Sequence, residues 1–369
     1  SHGTDTTDGF FVLNTQGPWN NYLAITDDDI VIATGNKPIT GAAFESTLPL
    51  IIFGGQGNDS ITGGAADDII FGDRGRVYYF DNEDGNPTTK LVSVLGNGGP
   101  GDKTDAVNRD PDQIFSVDPL IGGDDSLLSG LGGDDILIGG VNRDTIDTGS
   151  GNNIAFGDNG IVDFIVADGD SSDIDLVQST DPDIGGNDTI TGGSGDDIII
   201  AGEDGEIVVN DILTSPANIT RRIDNDATDG DPDVNAGSGR NIVFGDNGRI
   251  TAANSGFRFG TTTTTPGLNL TISLGLLEAL MPLIGGNDKL TTLGGDDIIF
   301  GGVNRDIIDA GNGNNVVLGD LGRINFIVDG DNADIDLIET TDPDVGCNDK
   351  ITTGNGDDIS IAGEDGEVV

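Results

Sequence analysis

Apolar triplets separated by polar hexads set the rhythm of this chain: Ser60-Ile61-Thr62 is followed by six residues rich in Gly and Asp, and then by Ile69-Ile70-Phe71. The resulting beat is nine residues long, G-G-x-G-(N/D)-D-x-(I/L/V)-x, and Gly54 to Thr62 runs directly into Gly63 to Phe71. Its glycines permit positive φ and bring carbonyls close together. The apolar residue after the turn alternates with its neighbours and sends one side chain inward, as a strand requires. The pattern predicts an all-β chain wound as a solenoid.

Four units follow one another without insertion from Leu283 to Leu318, with Asp288, Asp297, Asp306 and Asn315 at their sixth places. An earlier block, Leu120 to Phe156, repeats that order with one extra residue and puts Asp125, Asp135, Asp144 and Asn153 there. Further sixth places fall at Asp59, Asp68, Asp188, Asp197, Asp349 and Asp358. The blocks belong to a duplication of about 160 residues: Pro119-Leu120-Ile121-Gly122-Gly123 returns as Pro282-Leu283-Ile284-Gly285-Gly286. This divides the chain into a cap or preceding repeat segment (1–53), a first solenoid segment with an excursion (54–118), one complete unit (119–281) and a truncated second unit (282–369).

A second motif, G-(D/E)-x-G and then a β-branched residue, follows apolar runs at Gly72, Gly157, Gly202, Gly245, Gly319 and Gly363. It reads as the point where the chain leaves the coil for an excursion. The excursions, such as Asp168 to Asp183 and Asp329 to Asp344, are rich in Asp, Pro, Thr and Asn, which predicts surface loops or short hairpins. Leu268 to Ile284 differs, being apolar with only Glu278 charged. There Leu276, Leu277, Leu280 and Met281 suit one face of a short helix closing a side of the coil.

Charge turns this outline toward chemistry. Sixty-five acidic residues stand against 16 basic ones, a formal net charge of -49, which is strongly self-repelling in a folded body without counter-ions. Cations are therefore expected within the fold. The same charge argues against nucleic acid and anionic membrane surfaces. A disordered acidic tail would not keep Ile and Leu on a nine-residue period. The single Cys347 rules out a framework of intramolecular disulfides. Neither a signal peptide nor a long apolar span is visible, and the chain reads as a fragment whose Ser1 and His2 resemble a cloning remnant.

Two nines make one coil of about 18 residues, with strands stacked at about 4.8 Å. Stacking brings the sixth-place Asp of one coil beside that of the next. Carbonyls from the Gly-rich turns and one or two carboxylates per coil then form an all-oxygen cage, which suits Ca²⁺. Zn²⁺ would call for His and Cys, of which the chain has one each.

Gly54-Gly55-Gln56-Gly57-Asn58-Asp59-Ser60-Ile61, Gly192-Gly193-Ser194-Gly195-Asp196-Asp197-Ile198-Ile199 and Thr353-Gly354-Asn355-Gly356-Asp357-Asp358-Ile359-Ser360 resemble the repeats-in-toxin (RTX) family of Ca²⁺-binding nonapeptide repeats. The resemblance implies a right-handed parallel β-roll, several Ca²⁺ ions held by sixth-place Asp, and export in an unfolded state with folding outside the cell. It leaves the excursions unexplained. The chain departs from the pattern with Asn at Asn153, Asn241 and Asn315 and with Glu at Glu206 and Glu367. Fifth-place acids such as Asp67, Asp134, Asp196, Asp296 and Asp357 are expected to contribute backbone carbonyls. The triplet Asn-Arg-Asp at Asn108, Asn142 and Asn304 reads as charge relief in a crowded turn, with an Arg clamp as the alternative.

Catalysis finds little footing. The sole histidine is His2, and neither GxSxG nor HExxH occurs. Gly96 to Lys103 lacks the Lys and Ser/Thr of a phosphate loop. Trp19 and Tyr22 are expected to pack an end cap rather than line a glycan cleft, and Thr261 to Thr265 is one run without lattice periodicity. The expectation is a non-enzymatic, secreted or surface-attached bacterial module, structural or adhesive. Its partners would be Ca²⁺ and other copies of itself or a surface glycan or protein. The alternative is the non-catalytic Ca²⁺ region of a secreted enzyme or toxin.

Overall fold

Successive apolar triplets alternate between two parallel sheets, as the nine-residue beat demands. In the computed structural model the described residues are 11–14, 28–36, 43–80, 111–167, 172–203, 233–254, 258–260, 268, 270–329, 334–342, 345–363 and 367–368. The readings made above for His2, Trp19, Tyr22, Gly96 to Lys103, Asn108 to Asp110, Glu206 and Thr261 to Thr265 lie outside them.

The first sheet stacks ten strands in chain order, from Phe11–Asn14, Leu50–Phe53 and Ile69–Phe71 through Ile136–Ile138, Ile154–Phe156, Ile198–Ile200 and Ile242–Phe244 to Ile298–Gly302, Val316–Asp320 and Ile359–Ile361. The second stacks ten more, from Ile30–Ile32, Ser60–Thr62 and Ser126–Leu128 to Lys350–Thr352 and Glu367–Val368. Register never slips along the first sheet: Ile70, Leu137, Ala155, Ile199, Val243, Ile299 and Val317 lie one above another. These central residues pack against Ile61, Leu127, Ile146, Ile190, Leu290 and Ile308 of the second sheet to form the inner core. In the three-residue strands of the second sheet the central residue is buried and the flanking ones turn outward, as in Ser60, Ile61 and Thr62. The first sheet is buried on both faces.

What covers its outer face is the excursions. Four of them begin with a strand that pairs antiparallel with a later strand of the same excursion: Gly75–Tyr78 with Gln113–Ser116, Gly160–Asp163 with Leu176–Ser179, Gly248–Ala252 with Ile272–Ala279, and Gly322–Asn325 with Leu337–Thr340. The hairpins then join edge to edge, through Gln113–Ser116 with Gly160–Asp163, Leu176–Ser179 with Gly248–Ala252, and Ile272–Ala279 with Gly322–Asn325. A continuous antiparallel third sheet results, with Arg258–Phe259 added beside Ile272–Ala279. Hairpins were expected; their fusion into a third layer was not.

One row across that sheet is uniformly apolar, Val77, Ile114, Val162, Val177, Ile250, Leu277, Ile324 and Ile338 in register. It packs with Ile69, Phe71, Phe156, Phe244 and Phe300 into an outer core. The Phe rings stack along the roll, Phe53 on Phe71 at 4.9 Å and Phe244 on Phe300 at 4.6 Å.

The short helix read for Leu268 to Ile284 is corrected: Ile272–Ala279 is a strand. Leu274 and Leu277 are buried while Leu276 between them is half-buried, and Met281 is exposed with φ 59 in the turn that follows. An apolar stretch covering a sheet with two faces to satisfy fits strand and helix spacing alike, and the antiparallel partners on both sides decide it. Its role as a packing element stands.

All five interruptions from Phe71 onward leave after a first-sheet strand and return before a second-sheet strand. They therefore share one edge of the roll. Turns at the opposite edge, such as Gly63 to Asp68 and Ala310 to Asn315, run uninterrupted from Ser60 on.

Candidate functional site

Sixth-place residues line both edges of the roll as ladders of hydrogen bonds. At the edge that carries the excursions, the Asp59 N–H donates to Asp125 Oδ1 (2.6 Å), Asp125 to Asp144 (2.7 Å) and Asp144 to Asp188 (2.8 Å). Further along, Asp288 donates to Asp306 (2.8 Å) and Asp306 to Asp349 (2.9 Å). Partners such as Asp59 and Asp125 lie 66 residues apart in sequence. At the opposite edge the order is Asp68, Asp135, Asn153, Asp197, Asn241, Asp297, Asn315, Asp358, each N–H again donating to the next Oδ1.

None of these side chains is a fully solvated turn residue. Asp59, Asp68, Asp125, Asp135, Asp144, Asp188, Asp197, Asp288, Asp297, Asp306 and Asp349 are buried, as are Asn153 and Asn315; only Asp358 is half-exposed. The ladder occupies Oδ1. At Asp125, Asp144 and Asp306 the second oxygen, Oδ2, is buried and accepts no hydrogen bond among the described residues. Leaving a buried carboxylate oxygen unmatched is costly unless a cation answers it.

Glycine at the first place of most turns on this edge, Ala201 and Ala362 excepted, leaves room in front of that oxygen. A Cβ at Gly72 would stand 2.3 Å from Asp125 Oδ2 and 2.6 Å from the Gly139 carbonyl. At Gly139 it would meet the Gly157 carbonyl (2.2 Å) and Asp144 Oδ2 (2.3 Å), and at Gly301 the Gly319 carbonyl (2.1 Å) and Asp306 Oδ2 (2.4 Å). The same cradle of one carboxylate oxygen and one carbonyl from the next coil thus recurs. Burial pushes the Asp125 carboxyl up to about 8, and the nearby charges of Asp59 and Asp124 add to it against the Asp59 N–H. Asp144 and Asp306 are raised well above the usual carboxylate range, first by burial and then by the charges of Asp188 and Asp349.

Sequence reasoning missed four acids on this edge, Asp73, Asp158, Asp246 and Asp320, having read G-(D/E)-x-G as punctuation only. All are buried. Asp73 Oδ1 accepts the Gly123 N–H (3.0 Å) and Oδ2 the Val141 N–H (2.7 Å). Asp158 does the same with Gly186 (2.9 Å) and Glu203, and Asp246 with Gly286 (2.9 Å) and Val303. Each carboxylate ties the start of an excursion to its return and to the following coil. The rest of the motif is explained by contacts too: a Cβ at Gly75 would stand 2.2 Å from the Phe71 ring, and one at Gly160 2.3 Å from that of Phe156. The signal was in the sequence, since a fixed Asp inside a repeated Gly-x-x-Gly calls for a partner.

Other expectations change with the geometry. Glu367 is not a sixth-place residue: it pairs with Lys350 inside a strand, one place later. Fifth-place side chains form their own ladder, Asp124 N–H to Asn58 Oδ1 (3.1 Å), Asn152 to Asp134 (2.8 Å) and Asp196 to Asn152 (3.0 Å), so those acids do more than lend carbonyls. In Asn-Arg-Asp the informative residue is Asn. Asn142 and Asn304 take the fourth-place glycine's conformation at φ 77 and 79, which Asn tolerates best among residues with a side chain. Half-buried Cys347 stands at the place of Gly186 and donates its N–H to Asp320 Oδ1 (3.3 Å).

The donor set is chemically uniform. Among the described residues no group of three or more His, Cys, Asp or Glu side chains converges as a metal cluster, so backbone carbonyls must supply most ligands of any cage. Carboxylate and carbonyl oxygens in flexible number are what Ca²⁺ takes. The residues present fit it.

Comparison with known proteins bears on this edge directly. The RTX calcium-binding nonapeptide repeat matches residues 51–77, 129–161, 185–205 and 284–322. No curated relative and no solved structure matches the chain. The matched segments supply turns and triplets of both parallel sheets, and the chain thus carries RTX calcium-binding nonapeptide repeats in four segments, folded as a β-roll.

Proposed function

We propose that this chain is a non-catalytic, Ca²⁺-stabilised structural or adhesive module of a secreted or surface-attached bacterial protein. The observation that carries the reading is the buried row of sixth-place carboxylates whose second oxygens, at Asp125, Asp144 and Asp306, face glycine cradles. Several Ca²⁺ ions along that row would neutralise the turns and couple binding to folding. Micromolar cytosolic conditions would leave such sites empty during export, and extracellular Ca²⁺ would fill them, since weak modular sites of this ligand type work at about 10⁻⁴ to 10⁻³ M.

The duplicated unit of about 160 residues favours a repetitive array whose contacts are made with other copies, a surface glycan or a surface protein. The long stacked sheets support a load-bearing role, because every coil pairs with the next through backbone hydrogen bonds. Circular dichroism with and without chelator tests the coupling: Ca²⁺ should restore a β-spectrum that chelator removes. An unchanged spectrum in chelator, together with no measurable Ca²⁺ uptake, would sink the proposal. Electron microscopy of the native assembly in both conditions checks the array.

A further inference from the structure

The outer face of the third sheet carries a basic and aromatic corner, and we propose that it docks a carboxylate-bearing polysaccharide, with Arg76 as the anion contact and Tyr78 and Phe115 as the platform for a sugar ring. This rests on the adhesive reading above and gives it a surface. Residues directly opposite each other in a sheet point to the same side. Val77 and Ile114 point into the outer core, so Arg76 opposite Phe115, and Tyr78 opposite Gln113, point away from it. Ile161 continues the row beside Phe115, and Gln178 lies beside Ile161. Arg76 is exposed and the others are half-buried.

In a chain with 65 acidic side chains against 16 basic ones, an arginine on this sheet should find an acid. Farther along the same row Arg249 pairs with Glu278 and Arg323 with Glu339, and Arg74 pairs with Asp118. Arg76 makes no ion pair among the described residues. Its Nη1 donates instead to the Tyr78 hydroxyl (3.0 Å), which holds the guanidinium beside the rings. The Tyr78 ring stands at 80° to both Phe80 (5.9 Å) and Phe115 (5.1 Å). The carboxylate that follows Gln113 in its row, Asp163, is buried and already engaged: Oδ1 accepts the Ile165 N–H (2.9 Å) and Oδ2 accepts Gln113 Nε2 (2.6 Å). A planar guanidinium binds a carboxylate through two parallel N–H bonds, and a tyrosine offers apolar area and a polar tip together. A uronate unit, with a carboxylate on a ring that has an apolar C–H face, uses both. An acidic peptide, including an acidic segment of a second copy, answers Arg76 but leaves the rings unused. At physiological salt the screening length is about 8 Å, so distant carboxylates of the roll do not cancel the contact.

Titration calorimetry of a short oligogalacturonate into the full Ca²⁺-loaded chain, at fixed Ca²⁺ and about 0.15 M salt, tests the site. Wild type should bind, and R76Q should bind about tenfold more weakly, the loss expected for one charge-assisted contact. F115A should be weakened too, whereas R323Q, whose own partner is Glu339, should bind as wild type does. R76K keeps the charge without the fork and should fall between wild type and R76Q; the β-spectrum of each variant in Ca²⁺ shows that it folds. Equal binding by wild type and R76Q would mean that Ca²⁺ bridges the ligand to the acidic turns, and equal losses in R76Q and R323Q would mean diffuse charge attraction; either overturns the site. So does F115A binding like wild type, or poly-glutamate binding as tightly as the oligogalacturonate. A wild-type chain that binds no oligogalacturonate overturns the site as well, while the Ca²⁺-stabilised module stands or falls on the chelator experiment above.

Discussion

Without cations the roll should be most stable in acid and lose stability as pH rises toward neutrality. Burial raises Asp297 to about 6, Asp68 and Asp197 to about 7, and Asp125 and Asp349 to about 8. A folded-state pKa above the unfolded one means that the folded chain binds the proton more tightly. The associated stability is fully present below about pH 4, the unfolded value, and is lost as pH climbs through the folded value. For Asp125 alone the difference is about four units, or about 5–6 kcal/mol once the pH exceeds about 8. That matches the whole stability of many domains, about 5–15 kcal/mol.

An ion bound only by the folded state returns about 4 kcal/mol when its concentration is about 1,000 times its Kd, so occupancy of one site by Asp125 offsets most of that cost. Thermal melts of chelator-treated protein, followed by far-UV circular dichroism from about pH 4 to about pH 8, should show Tm falling across the window. Saturating Ca²⁺ should remove the fall. A Tm that stays flat or rises with pH in the absence of Ca²⁺ would refute the claim that these carboxylates are buried without compensation.

Gly139→Ala should weaken Ca²⁺ uptake and lower Tm in Ca²⁺, because its Cβ would lie 2.2 Å from the Gly157 carbonyl and 2.3 Å from Asp144 Oδ2; calorimetric titration beside Gly294→Ala, whose nearest contact is 3.2 Å, checks it. Asn304→Ala and Asn304→Gly both lose the Nδ2 bond to the Gly285 carbonyl, and the Ala variant should cost about 1–2 kcal/mol more through the left-handed backbone at φ 79, as read by denaturant unfolding. Leu277→Ala, at a fully buried position of the third sheet, should cost about 2–5 kcal/mol and increase proteolysis within the hairpins before the parallel sheets are cut.

The roll was legible because its information is local. One turn of six residues and one strand of three are written out many times, so Ile61, Leu127 and Ile146 announce the inner core and Asp59, Asp125 and Asp144 announce the ladder. The third sheet was not legible for the opposite reason. Val162 meets Ile114 and Val177, and Val177 meets Ile250 of a different excursion, so the pairing partners lie in separate segments with no shared repeat. The apolar run at Leu276 and Leu277 illustrates the ambiguity, since a helix and a two-sided strand share that pattern. Asn153 and Asn315 look like weakened copies of Asp until stacking shows them alternating with it.

The excursions also account for why the roll is interrupted at one edge only from Ser60 on. A two-sheet roll buries a single side chain per strand triplet, as the second sheet still does at Ile146 between exposed Thr145 and Asp147. The first sheet buries all three, in Ile136–Ile138 and Ile154–Phe156, because the hairpins cover its outer face. To reach that face an excursion must leave where a first-sheet strand ends. Its return then supplies the next sixth-place Asp, so Asp125, Asp188, Asp288 and Asp349 arrive only after a hairpin has been placed. Asp73 and Asp158 fasten both ends of that detour with two backbone N–H groups each. Docking of the third sheet and completion of the carboxylate row are therefore one event, and a cation bridging Asp125 to the turn at Gly72 would favour the hairpin between them as directly as it favours the coil.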